Sequence, residues 1–184
     1  MSLGLGIGAV ASSNLVTDSI VETIAVRPQV APQLDLRVEK TLSARYRLAG
    51  DLAVSRSTVE AHGPSSSSEI TSLTLWSPGI GLVAAATSWL GAEARLGALI
   101  YDPGATEGTL FADGAPVTPV LGLGLRAERA LSGTLTGALH IRYDVHRFTT
   151  DALKARGFTG ETVVHRIAFG ITLYRRMSRA PAAN

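Results

Sequence analysis

The sequence predicts an all-β fold, an eight-stranded up-and-down antiparallel transmembrane β-barrel with a filled, polar lumen. Three observations lead there. Apolar and polar residues alternate with a period of two over most of the chain, the mark of strands with two unlike faces. The alternating segments mostly exceed ten residues, about twice a usual strand, and a tilted strand crosses a bilayer in roughly 9–11. Their connections alternate short and long, the rhythm of a barrel with one rim of tight turns and one of extended loops.

Residues 2–12 open the pattern, with Leu3, Leu5 and Ile7 on one face and Gly4, Gly6 and Gly8 on the other. They lack the basic n-region and longer apolar run of a signal peptide. The expectation is a mature chain whose leader is gone, although Ala9-Val10-Ala11 looks like a cleavage site. Residues 13–28 form a long connection carrying Leu15, Val16, Ile20, Val21 and Ile24. It reads first as a strand extension, with an ordered rim element or partner-binding patch as the alternative. Strand 29–39 alternates strictly in Leu34-Asp35-Leu36-Arg37-Val38-Glu39, and strand 44–56 continues with Arg45, Arg47 and Asp51 on its polar face. A loop over 57–69 holds His62-Gly63-Pro64, and Ser65–Ser68 read as its flexible tip. Strand 70–84 begins the longest charge-free run, Ile70–Ala92, where Pro78, Gly79, Gly81 and Gly91 argue against a membrane helix. Its parity slips near Ser77-Pro78, which predicts a bulge, a place where a strand tolerates proline. Strand 89–101 carries Glu93 and Arg95, and loop 102–116 contains Asp102-Pro103-Gly104 and Asp113-Gly114. Strand 117–129 carries Arg126 and Glu128; strand 133–147 carries His140, Arg142 and Asp144. After a last long connection over 148–161, strand 162–175 carries Arg166, and a tail over 176–184 follows. Nothing divides the 184 residues, so one domain is expected.

Composition narrows the function classes. Apolar residues make up 46% and charged residues 17%, the reverse of a disordered chain. A net charge of +2 is too balanced for a nucleic-acid protein, and the absence of cysteine removes disulfides, thiolate metal sites and thiol nucleophiles. The polar face decides which side is inside. It carries Gly91, Gly97, Gly122, Gly124, Gly170, Ala49, Ala53, Ala138 and Ala168, which a wet surface has no use for but a crowded lumen does. Its arginines, Arg37, Arg45, Arg47, Arg95, Arg126, Arg142 and Arg166, nearly balance Asp35, Glu39, Asp51, Glu93, Glu128 and Asp144. Such near-neutrality suits burial, and arginine suits bidentate pairing there. The alternative is a soluble ligand-carrying calyx with its apolar face inward.

Gly122-Leu123-Gly124-Leu125-Arg126-Ala127, with Asp144 beyond, satisfies a dinucleotide fingerprint, but Gly133 and Gly137 break the helix it should open. It reads as strand residues beside a crowded lumen. The row His140, Arg142, Asp144, His146 puts its two histidines about 20 Å apart on a strand, too far for one ion. We therefore expect no catalytic residue, metal site or cofactor; His140, Arg142 and Asp144 join the charge network instead.

On strand count, loop rhythm and polar lumen, the chain from about Leu3 to Arg175 resembles small Gram-negative outer-membrane β-barrels of the outer-membrane-protein-A-like and opacity-protein type. Its last strand, Phe169-Gly170-Ile171-Thr172-Leu173-Tyr174, is similar to the terminal signal read by the barrel-assembly machinery, but lacks a closing aromatic because Arg175 and Arg176 follow. Aromatics are 5% of the chain; Tyr46, Trp89 and Tyr174 are candidates for one membrane rim, Tyr101 and Phe148 for the other. The resemblance implies an outer-membrane location, lipid and the assembly machinery as partners, and a monomer. It implies a structural, surface-interaction or narrow porin-like role through the outer loops. An outer-membrane lipid-modifying enzyme is the alternative.

Overall fold

The computed structural model describes residues 1–18, 24–105, 110–112, 116–157 and 161–177. The elements in chain order are β1 (Ser2–Ser12), β2 (Val16–Asp18), β3 (Ile24–Pro28), β4 (Ala31–Thr41), β5 (Tyr46–His62), β6 (Ser67–Ala85), β7 (Leu90–Pro103), β8 (Val117–Ala130), β9 (Leu135–Phe148), α1 (Asp151–Ala155) and β10 (Thr162–Arg176). Eight strands close a ring in the order β1-β4-β5-β6-β7-β8-β9-β10, every neighbouring pair antiparallel, with β10 returning to β1. That closing seam runs from Ser2 opposite Arg176 to Ser12 opposite Arg166. Closure leaves the ring no free edge, which is what lets strands span lipid. Ala9, Val10 and Ala11 lie inside β1, paired to β10 and, through Ala9 and Val10, to β4.

The three tight turns share one device. Ser43, Thr87 and Ser132 each occupy the second turn position, and their hydroxyls accept from the backbone N–H of Tyr46, Leu90 and Leu135 at 3.2, 2.9 and 3.2 Å. The residue before each hydroxyl closes the hairpin: Leu42, Ala86 and Leu131 donate to the carbonyls of Tyr46, Leu90 and Leu135 at 2.9 Å. A serine or threonine turn thus recurs three times with local hydrogen bonding that stops the strand.

At the opposite rim the chain is more ordered than expected. The stretch read as loop 57–69 is a continuation of β5 and β6, paired out to His62 opposite Ser67. Only residues 63–66 turn, closed by Gly63 N–H donating to Ser66 at 2.8 Å. Ser67 and Ser68, expected in the flexible tip, belong to β6. In the first long connection, β2 and β3 form a hairpin whose second strand pairs with the extension of β5 from His62 to Val59, so this is an ordered rim element rather than a plain strand extension. Ile20 and Val21, and Asp113-Gly114, lie outside the described residues. The last connection holds α1, capped by Thr150, whose hydroxyl accepts from Leu153 N–H at 3.2 Å and donates to the Leu110 carbonyl at 2.7 Å.

The bulge is not where the parity argument put it. Across β6 and β7 the register is the same on both sides of Ser77-Pro78: Trp76 faces Ile100 and Gly79 faces Gly97. Pro78 has no N–H, so the ladder is interrupted there without an inserted residue. The irregularity lies between β5 and β6 at Val59/Glu60. The parity appears to slip because Leu73 and Leu75 point inward, into an apolar half of the lumen. The described residues contain no helix long and apolar enough to cross a membrane.

Candidate functional site

Facing is decided by the side chains. Leu34 is 65% exposed on the outside while Arg166 is 2% exposed within. Leu5, Ile7, Leu36, Leu96, Leu121, Leu123, Ile167, Phe169 and Ile171 stand outward with Leu34 as an apolar belt. On β10 the outward face runs from Val163 to Leu173, apolar but for His165, which hydrogen-bonds with the outward Tyr143. Its ten steps of about 3.3 Å at a tilt of about 40° give a height of about 25 Å, that of an outer-membrane apolar band. The calyx alternative required these residues inside.

The lumen toward the tight turns is filled by two charge-balanced tiers. In the first, Arg47 reaches Glu128 at 2.5 Å, Glu128 meets Arg126 at 2.6 Å, Arg126 also pairs with Glu39, and Arg37 bridges Glu39 at 2.8 Å and Glu93 at 2.7 Å. Three guanidiniums thus face three carboxylates. In the second, Arg95 reaches Asp51 at 2.9 Å and the Ser77 carbonyl at 2.8 Å, while Arg142 holds Asp144 at 3.0 Å and approaches Asp51 at 3.9 Å. Asp35 accepts from Gln33 at 2.9 Å, His140 lies 3.4 Å from Thr172 Oγ1, and Arg166 sits across the β9–β10 ladder from Asp144. The ion pairs made by Arg37, Arg47, Arg95, Arg126 and Arg142 are what make so many buried charges tolerable.

Glycine opposite the long side chains supplies the room. A methyl group added at Gly79 would lie 2.5 Å from the Arg95 guanidinium, one at Gly81 2.8 Å from Glu93 Oε1, and one at Gly170 2.8 Å from the His140 ring. Gly122, the first residue of the dinucleotide-like fingerprint, abuts Asp144 in the same way. That motif lies within β8 and opens no helix.

Thirteen of the fourteen residues expected in the lumen line it: Asp35, Arg37, Glu39, Arg47, Asp51, Glu93, Arg95, Arg126, Glu128, His140, Arg142, Asp144 and Arg166. Arg45 does not. It falls in the tight turn before β5 begins and is exposed, because the parity it shares with Arg47 ends with the strand. The aromatic rims also need correction. Tyr46 and Trp89 are exposed at the tight-turn rim, but Tyr174 is buried, its ring 4.8 Å from the Arg126 guanidinium. Tyr101 and Phe148 are buried as well, their ring centroids 5.0 Å apart.

Those two belong to a feature the sequence reading missed. The lumen is polar only toward the tight turns. Toward the loops Leu15, Val59, Leu73, Leu99, Phe111 and Val164 pack with them into an apolar plug, to which Leu153 of α1 contributes. Between plug and rim the charge network leaves a cavity of only about 20 Å³, lined by Asp35, Arg37, Arg142 and their neighbours. A cavity of this size has room for about one water. Among the described residues no group of three or more His, Asp and Glu is placed to hold a metal ion.

No protein-family profile and no curated protein sequence matches the chain. Solved structures do. The chain is similar to Neisserial surface protein A, at 14% identity with 96% of each chain covered and a TM-score of 0.56. It is similar to the outer membrane protein AlkL, solved in lipid bilayers, at 12% identity, covering 100% of this chain and 93% of that one with a TM-score of 0.54. It is similar to the attachment invasion locus protein Ail of Yersinia pestis at 12% identity, 94% and 97% coverage and a TM-score of 0.50. The fold is that of the small eight-stranded outer-membrane β-barrels.

Proposed function

We propose that this eight-stranded barrel resides in a bacterial outer membrane as an anchored surface-interaction protein, working through its loop rim rather than as an open pore or a catalyst. The apolar belt and the likeness in fold to outer-membrane proteins support the location. The observation that carries the role is the double seal of the lumen, two paired charge tiers on one side and an apolar plug on the other. With side chains filling an eight-stranded interior, the part of the molecule free to meet a partner is the rim built by β2, β3 and the protruding β5–β6 hairpin.

The test has two readouts. Reconstituted into planar lipid bilayers, the protein is expected to give no resolved conductance steps; steady ohmic steps would contradict the sealed lumen. An epitope inserted between Pro64 and Ser65 is expected to bind antibody on intact cells, and the same epitope at Gly133 only after permeabilisation. The reverse pattern would place the working rim on the wrong side. Lipid A mass spectra unchanged by the protein are the outcome expected of a non-catalytic barrel, and a deacylated or acylated product would replace this reading with the lipid-modifying one.

A further inference from the structure

We propose that a slot in the barrel wall, between the loop-side ends of β8 and β9, binds the chain of a long-chain fatty acid from the surrounding membrane, with His146 holding its oxygen. This rests on the reading of the belt as lipid-facing. Pairing of β8 with β9 ends at Val120 opposite His146, although β8 begins at Val117 and β9 continues to Phe148. Pro119 has no N–H to extend the ladder. One side-chain bond crosses the gap instead, from Thr118 Oγ1 to the Arg147 carbonyl at 2.8 Å.

A cavity of about 700 Å³ lies there. Its volume is within the range of pockets that hold small ligands. Its walls join the two faces of the barrel: Leu96, Leu121 and Val145 of the outer face meet the buried His146 and Tyr101 and Phe148 of the plug. An aliphatic chain lying along the outer leucines therefore has its end against the interior.

The chemistry of that end is set by His146. The ring is 4% exposed, and its Nε2 is 2.5 Å from the Tyr101 hydroxyl. A phenol is the better donor of the pair, so Nε2 accepts and the neutral ring carries its proton on Nδ1. Nδ1 has no hydrogen-bond partner among the described residues. A buried donor left unpaired is costly, and an oxygen at the end of an apolar chain satisfies it. A chain tethered through a glycerol ester leaves its oxygens at the headgroup level, whereas a free acid brings its oxygen into the slot.

The test uses a fatty acid with a diazirine in its chain, and the corresponding diazirine alkane, in phosphatidylcholine vesicles holding the folded protein, with cross-links mapped by mass spectrometry. The acid is expected to label residues 116–121 and 145–149 saturably, to be displaced by unlabelled palmitate, and to half-saturate at about a five-fold lower concentration than the alkane, the effect of one hydrogen bond. His146→Phe should erase that difference, and Val145→Trp, an outward substitution that fills the slot, should abolish saturation. Labelling there that merely rises linearly, as at Ile167–Leu173, would overturn the site. Equal binding of acid and alkane by the unaltered protein would overturn the role of His146. Absence of labelling at Ile167–Leu173 would instead overturn the membrane reading itself. Should His146→Phe fail to fold, Val145→Trp and the acid–alkane comparison decide the matter.

Discussion

Arg95 shows how the interior is held. Its guanidinium grips Asp51 and the Ser77 carbonyl in a site without solvent, and Gly79 leaves it the space. Removing one partner of such a pair leaves a buried charge uncompensated, so Arg95→Met should cost about 3–5 kcal/mol in urea unfolding from lipid vesicles. Adding Asp51→Asn should recover part of that loss, because the remaining charge is then gone; strictly additive losses would mean that the two do not act as a pair. Gly79→Ala places a methyl where the guanidinium lies, and the expected loss is about 1–3 kcal/mol by the same assay. No change there would mean that Arg95 has another comfortable position. Most of these roles were legible from parity: an arginine on the glycine-rich face of a long strand is inside. Arg45 shares the parity but not the strand, and strand ends are what alternation cannot mark.

Elements divide into those that obey a two-residue rhythm and those that need a partner to be seen. All eight long strands were legible, because apolar and polar residues alternate along most of each one. The extensions of β5 and β6 to His62 and Ser67 were not, since Ser65–Ser68 carry turn chemistry, and the extensions pair with each other while β3 pairs with that of β5. The plug was hidden for a related reason: around Leu73 and Leu75 the apolar face of β6 points inward and Ser72 and Thr74 point outward, whereas Ile80 and Leu82 point outward, so the alternation changes sign and imitates a bulge. Two substitutions separate the faces. Leu36→Arg puts a charge on the outward face of β4, and near the bilayer midplane it should cost about 2–4 kcal/mol in lipid vesicles. An undiminished stability would put Leu36 outside the membrane. Phe111→Ala empties the plug, where the ring packs edge-on against Phe148 at 6.1 Å, and should cost about 3–5 kcal/mol, seen as a lower temperature at which the gel mobility of the folded form is lost on heating. A variant as heat-resistant as the parent would show that the plug only fills space.

At the scale of the molecule, one arrangement explains composition, fold and proposed role. The chain is apolar outside and charged within, the inverse of a soluble domain, and its arginines are affordable only because six of them face six carboxylates in the lumen. The chain has no cysteine, so single cysteines report cleanly on this arrangement. The most direct measurement attaches a nitroxide at each position from Arg166 to Leu173 except Gly170 in turn, in lipid vesicles, and compares collision with oxygen, which concentrates in hydrocarbon, against collision with a water-soluble nickel chelate. The account predicts high oxygen accessibility at 167, 169, 171 and 173 and protection from both reagents at 166, 168 and 172. Strong nickel collision at the odd positions, or oxygen collision without alternation, would contradict it.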